Sequence, residues 1–368
     1  MGKIDGKLTP LDVLYLQRAY ELAARGVGST APNPPVGAVV VRDGRVVGEG
    51  YHHRAGEAHA EPNALAQAGV KSRGATMYVS LEPCRHFGRT PPCTHALIEA
   101  GIGRVVAGTL DPSGNGGAAE LRERGLAVEI AGDAIANDLV EIFARASGAE
   151  RPYVALKMAM SLDGRVAQQH GSSQRIGSDE EQQYVRALRT VYDAILVGAG
   201  TVRIDDPRLT VRPPHDRTRP YLRVVAGGLE NLAADRRVFV AQTGYARTMV
   251  LVPAGLCDRY ESLHAVAEIL EIGPPQSQRL DLPEALRALR ARGIFSLLCE
   301  GGPRLAAGLL SAGLVDRVYW AIAPRFCGGE DAVPVLSGAN LEGVKLHFDR
   351  AERAGPDVIL SGVPCSAE

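Results

Sequence analysis

Aromatic residues are scarce in this 368-residue chain, at 5%, and tryptophan occurs once. So few ring faces argue against the stacking platforms on which single-stranded nucleic acids are held. An excess of one charge is missing too: 41 Lys and Arg face 42 Asp and Glu, and the formal net charge of −1 gives no general pull toward nucleic acid or membrane. No stretch approaches the length of an apolar membrane span, and Met1 to Pro10 lacks the apolar core of a secretory signal. The six cysteines (Cys84, Cys93, Cys257, Cys299, Cys327 and Cys365) lie too far apart for a disulfide framework, and a reducing cytoplasm is the expected setting. Internal repeats, low-complexity tracts and the G-x-G-x-x-G dinucleotide fingerprint are also absent.

What remains is the composition of a globular protein too long for one ordinary core, so two domains are expected. The polar, small segment Ser147–Arg151, followed by Pro152, predicts the boundary, giving domains 1–148 and 149–368. Both halves alternate strand and helix patterns, which predicts layered α/β architecture. In the first half, helical spacing covers Leu11–Arg25, Glu61–Ala68 and Thr94–Ala100. Strands are expected at Ala75–Leu81 and Arg104–Thr109, and a hairpin turns at Asp43-Gly44 within Val36–Tyr51. In the second, strands are expected at Tyr153–Met160, Ala194–Val197, Leu222–Val225, Thr248–Val252, Ser296–Cys299 and Val318–Ala323, with Val358–Ser361 closing the sheet. Helices fit Asp179–Leu188, Leu282–Arg292 and Pro303–Ala312.

The chemistry concentrates at His59-Ala60-Glu61, Pro83-Cys84 and Cys93. One imidazole and two thiolates are zinc donors, and three protein ligands leave a fourth tetrahedral position open, as catalytic sites require. A glutamate two residues from the histidine and a Pro-Cys pair form the pattern of zinc-dependent nucleobase deaminases. Zinc brings the pKa of a bound water near neutrality, and Glu61 is the candidate to take its proton and deliver it to the ring nitrogen and the departing ammonia. Cys93, placed just before a helix, is expected to be acidified by the helix dipole. Singly, each residue reads as an ordinary core or helix-start side chain; together, in a strand–turn–helix context, they read as a site. A structural zinc would need a fourth ligand, for which His86 and His95 are available.

The stretch Ala31-Pro32-Asn33-Pro34-Pro35-Val36-Gly37, the triplet at 59–61, and Glu82-Pro83-Cys84-Arg85-His86-Phe87-Gly88-Arg89-Thr90-Pro91-Pro92-Cys93 resemble the bifunctional riboflavin-biosynthesis deaminase/reductase family. The resemblance implies an N-terminal cytidine-deaminase-like αβα domain followed by a C-terminal dihydrofolate-reductase-like α/β domain. It also implies Zn2+ and NADPH as cofactors and a small phosphoribosyl-pyrimidine as substrate, with no nucleic-acid or membrane partner. A homo-oligomer is expected as well. The eight-residue insert between the cysteines would hold ribose and phosphate beside the base, with His86, Arg89 and Thr90 supplying a planar cation and hydrogen-bonding groups. Asn33 would bond the base or sugar.

In the second half the matching stretches are Lys157–Arg165, Gly198–Val202, Asp205–Arg212 and Glu300-Gly301-Gly302-Pro303. By resemblance, Ala159, Arg175, Thr201, Asp205 and Gly302 would contact NADPH, and Ser173, Arg189, Leu209, Arg212 and Glu300 the substrate. Gly301 and Gly302 follow a strand and open a helix, where backbone can approach a phosphate, and Thr201 is expected at a strand end. Three departures stand out: Arg175 replaces a tryptophan, Ala226-Gly227-Gly228 replaces an Asp-Ser strand end, and the loop after Asp111-Pro112 is short. They leave a relative with a retooled reductase as one rival reading. A nucleic-acid-editing deaminase is a second, opposed by charge and aromatic content, and a zinc-stabilised scaffold is a third, for which Glu61 would be superfluous.

Overall fold

The computed structural model describes residues 8–215, 217, 219–228, 232–240, 248–274 and 279–365. Met1–Lys7, read above as no signal sequence, lie outside them. The chain divides into two compact units, Met1–Gly148 and Ala149–Glu368. No helix among the described residues is long and apolar enough to cross a membrane.

The first unit contains α1 (Pro10–Ala24), β1 (Gly37–Arg42), β2 (Arg45–Tyr51), α2 (Ala60–Ala68), β3 (Thr76–Val79), α3 (Cys93–Glu99), β4 (Arg104–Ala107), α4 (Ala118–Glu123), β5 (Ala127–Ile130) and α5 (Ala134–Ala146). Its five strands run in the order β2-β1-β3-β4-β5. The β1–β2 hairpin is antiparallel and the last three strands are parallel. Strand side chains alternate faces, and two cores result. Ala38, Val40, Met77, Val79, Val105 and Ala107 pack with Ala60, Ala64 and Leu97 from α2 and α3. Val39, Val41, Tyr78 and Val106 pack with Leu16, Ala19 and Ala136 from α1 and α5. The sheet is thus sandwiched between helical layers. Glycine in β2 sets how closely α2 can lie: a Cβ at Gly48 would stand 2.2 Å from the Ala64 carbonyl, and one at Gly50 2.5 Å from the Ala64 nitrogen. That close approach seats the start of α2 against the sheet.

The second unit contains β6 (Tyr153–Ser161), β7 (Arg165–Ala167), α6 (Asp179–Val191), β8 (Ala194–Gly198), α7 (Ala199–Asp205), β9 (Leu222–Ala226), β10 (Thr248–Pro253), β11 (Ala267–Ile272), α8 (Leu282–Ala291), β12 (Ser296–Cys299), α9 (Pro303–Ser311), β13 (Arg317–Ala323), β14 (Val333–Pro334), β15 (Lys345–Ala354) and β16 (Asp357–Cys365). Nine of these strands form one sheet in the order β11-β10-β9-β8-β12-β6-β13-β16-β15. It is parallel from β11 to β13 and antiparallel across β16 and β15. The central strands β8 and β12 read as unbroken apolar runs because helices cover both faces, and Leu196, Leu297, Leu286 and Leu309 lie in the core they share.

Sequence periodicity finds most of these elements and misses some. Strand β15 is the sheet edge, outside β16, so Val358–Ser361 does not close the sheet. Its residues are almost all exposed, which removes the apolar alternation by which a strand is recognised. The Ala199–Asp205 segment is helical, so Thr201 lies in the first turn of α7 rather than at a strand end. Two glycines around Ala199 conceal that short helix.

Candidate active sites

His59 is the N-cap residue of α2, but its side chain makes no capping bond and turns instead to the two cysteines. Its Nδ1 lies 3.6 Å from Cys84 Sγ and 3.3 Å from Cys93 Sγ, and the three donor atoms all fall within 4.8 Å of one another. A tetrahedral ion bound at ordinary Zn–N and Zn–S lengths keeps its nitrogen and sulfur ligands about 3.5 Å apart, so the donor set fits zinc in both type and spacing. Neither histidine proposed as a fourth ligand joins it: His86 is exposed, and His95 faces Glu120 at 3.9 Å and the Phe87 ring. The site is open in the sense that catalysis needs.

Electrostatics distinguish the two thiols. Cys84 is acidified chiefly by the hydrogen bond from the Cys93 side chain, with His59 and the Cys93 backbone N–H adding to it. The same bond, with burial, pushes Cys93 up. At Cys93, which opens the seven-residue α3, burial and the bond to Cys84 act against the lowering expected from the helix dipole. Glu61, 3% exposed, is pushed up to about 7 by burial first and by Cys84 second. A carboxyl poised there can hold or release a proton near neutral pH.

Around the cluster, Thr90 Oγ1 lies 3.3 Å from His59 Nε2, so the residue expected to touch substrate also touches the candidate metal-donor histidine. Asn33 Nδ2 lies 3.1 Å from His52 Nε2, and His52 Nδ1 lies 3.0 Å from the Ala58 carbonyl. That carbonyl can only accept, so Nδ1 carries the proton and Nε2 accepts from Asn33. Burial keeps the His52 imidazole neutral by lowering its pKa. His52 was not singled out from sequence; a His-His doublet after β2 is its only mark. His86 and Arg89 are exposed on the loop before Thr90.

In the second unit the predicted residues gather at the carboxyl ends of neighbouring parallel strands, where open α/β sheets bind ligands. Strands β8 and β12 end together, Glu300 N–H donating to the Leu196 carbonyl and Gly198 N–H to that of Gly301. Glu300 receives a fork from Arg189, Nε to Oε1 at 2.5 Å and Nη2 to Oε2 at 2.6 Å. Arg189 Nη1 also donates to the Thr210 carbonyl, and Arg212 Nε to Thr210 Oγ1. Leu209 is left-handed, with φ of 51°, and its carbonyl accepts from the Tyr221 hydroxyl. Burial, together with Arg186, Arg189, Arg208 and Arg237, lowers the pKa of Arg212. At the start of α9 the Gly302 N–H donates to Thr201 Oγ1 at 3.2 Å, and a Cβ on Gly302 would crowd that oxygen at 3.0 Å. Ser173 donates to Asp205 at 2.7 Å. Arg175 pairs with Asp179 at 2.6 Å in solvent. Ala159 lies on β6 opposite Ala321 of β13.

A His-Cys-Cys cluster beside a buried glutamate, in a helix–sheet–helix unit, defines the class: a deaminase domain of the cytidine-deaminase type, joined here to a second α/β domain. Known proteins carry the assignment further. The profile of the cytidine and deoxycytidylate deaminase zinc-binding region matches residues 10–109, and that of the RibD C-terminal domain residues 152–360. The riboflavin biosynthesis protein RibD of Aquifex aeolicus is 38% identical over 355 residues, covering 95% of this chain and 98% of its own. That of Escherichia coli is 38% identical over 372 residues with the same coverage. Among solved structures, Acinetobacter baumannii RibD superposes with a TM-score of 0.80 at 33% identity, covering 97% of this chain and 99% of its own. A Thermotoga maritima diaminohydroxyphosphoribosylaminopyrimidine deaminase/5-amino-6-(5-phosphoribosylamino)uracil reductase does so at 0.79 and 35%, with 96% and 99% covered. The chain belongs to the bifunctional deaminase/reductase family of riboflavin biosynthesis, and it is a deaminase and a reductase in one polypeptide. None of the rival readings finds support.

Proposed function

We propose that the first unit hydrolytically deaminates 2,5-diamino-6-(5-phosphoribosylamino)pyrimidin-4-one and that the second reduces the ribosyl group of the product to ribityl with NADPH. The observation that carries the first half is the meeting of His59 Nδ1 with two sulfurs at tetrahedral spacing beside a buried carboxyl. His59, Cys84 and Cys93 would hold zinc, which lowers the pKa of a bound water to near neutrality. Glu61 would carry two protons in turn, the first from the water to the ring nitrogen and the second from the hydroxyl added at carbon to the leaving amine; its pKa near 7 suits both directions. Thr90 keeps His59 Nε2 engaged, so that Nδ1 presents its lone pair to the metal. Asn33, with its amide nitrogen given to His52, turns its oxygen to accept from an amine on the base or a sugar hydroxyl. His86 and Arg89 are the loop groups offered to the phosphate.

In the second unit NADPH, when bound, supplies the hydride. The glycine-lined start of α9, with Thr201, Ala159, Asp205 and Arg175, suits the cofactor, since glycine lets backbone come close to a phosphate and a Cβ at Gly302 would crowd Thr201 Oγ1. Glu300, held in direction by Arg189, accepts from ribose hydroxyls, while Ser173, Leu209 and Arg212 line the substrate side. The grouping of Arg212 with other arginines suits a phosphate. The donor thiols are free and must stay reduced to bind metal, which fits a cytoplasmic setting. The deciding experiment is NADPH oxidation by the purified chain supplied with the deaminated substrate: turnover is expected, and none with that substrate would overturn the reductase assignment.

A further inference from the structure

Glu82 lies two residues before Cys84, and no step above uses it. Its own N–H donates to the Thr109 carbonyl at 2.9 Å. Its carboxylate accepts from two backbone amides, Asp111 N–H at 3.0 Å on Oε2 and Ala118 N–H at 2.8 Å on Oε1. These donors stand at the two ends of the Asp111–Ala118 loop, so one side chain ties both ends together. The middle of that loop then runs beside the Pro83–Arg85 backbone. Arg85 N–H donates to the Asn115 carbonyl at 3.0 Å, Gly117 N–H donates to that of Pro83 at 2.8 Å, and Cys84 and Gly116 form an isolated β-bridge. Packing admits no slack: a Cβ on Gly116 would stand 2.0 Å from Glu82 Oε2.

The two sulfur donors differ in what holds them. Cys93 opens α3 and inherits its position from a helix. Cys84 belongs to no helix or strand; its backbone is held by that bridge and its flanking bonds on one side and by the Thr94 N–H, which donates to its carbonyl at 3.2 Å, on the other. By accepting from two backbone N–H groups at once, Glu82 anchors both ends of the loop that Cys84 leans on. We propose that Glu82 is a positioning residue of the deaminase site: by closing the 111–118 loop it sets the direction in which Cys84 Sγ faces His59 and Cys93, a role that rests on the reading of these three as the zinc donors.

The test compares full-length wild type with Glu82→Ala, Glu82→Gln and Gly116→Ala. Zinc affinity is measured by competition with a chromophoric chelator, loop order by amide hydrogen exchange across residues 111–118, and thiolate geometry by the charge-transfer band of the cobalt-substituted protein. Loss of an outer partner of a metal ligand costs roughly 10- to 100-fold in affinity. A drop of that size is expected in Glu82→Ala, with faster exchange and an altered cobalt band, and Gly116→Ala should match it. Glu82→Gln should fall between, since its amide oxygen can still accept one of the two N–H groups. Wild-type affinity and an unchanged band in Glu82→Ala, even with faster exchange, would overturn the positioning role. If Glu82→Ala does not fold, Glu82→Gln decides by the same two readouts. Failure of the wild type itself to take up zinc would instead overturn the zinc reading, and the role with it.

Discussion

The two sites of this chain solve opposite problems with polar side chains. In the first unit the candidate donor atoms converge on one point: imidazole and thiols meet at 3.3 and 3.6 Å, a spacing that also suits ligands around an ion. In the second unit the charged groups have found one another. Arg189 grips Glu300, Ser173 bonds Asp205, Arg175 meets Asp179, and Arg237 meets Asp206. A single ion must be surrounded by lone pairs, so its ligands cannot be mutually satisfied. A large ligand touches each side chain at one edge, and where the pair is buried, as at Arg189 and Glu300, the remaining donors need protein partners.

Breaking either arrangement should give effects of very different size. Cys84→Ala is expected to lose zinc and abolish deamination while NADPH-dependent reduction continues, as metal analysis and the two assays will show; full zinc retention removes Cys84 from the donor set. Glu61→Gln should keep its zinc and slow deamination about 10²- to 10⁴-fold, the usual contribution of a positioned acid–base group, and normal turnover in that variant would sink the proton-shuttle role. Glu300→Gln leaves Arg189 without its counter-ion in a site only 13% exposed at the arginine. Removing one partner of a buried pair costs about 3 kcal/mol, to be read by denaturant unfolding, with a raised KM for the ribosyl substrate. Arg175→Ala is the smallest: its exposed pair with Asp179 is worth no more than about 0.5 kcal/mol, so stability should hardly move. A rise in the KM for NADPH with kcat unchanged is expected there, and an unchanged KM would take Arg175 off the cofactor's contacts.

Legibility in the sequence follows the same division. His59 and Glu61 share one helix start and Cys84 and Cys93 one short segment, so spacing alone exposes them. Most helices and strands with an apolar face were equally plain, since burial imposes the period. Among the segments that escaped, β15 is an exposed edge strand and α7 is flanked by glycine, while α4, β5, α5 and β11 were not singled out either. Partnerships escaped as well. Arg189 and Glu300 are 111 residues apart, Thr201 and Gly302 are 101 apart, and nothing local links them. Thr90 and Glu82 were visible as types, but their partners, a donor histidine and two amides of a distant loop, were not.

The sequence by itself determined the two-part α/β plan and the candidate metal donors, because each depends on residue type and short-range spacing. Only the tertiary structure decided how the two thiols are placed toward each other, which atom of His59 faces the sulfurs, and which charged groups of the second site are held by one another. Those outcomes depend on burial and on distances between segments far apart in the chain, quantities that exist only once the chain has folded.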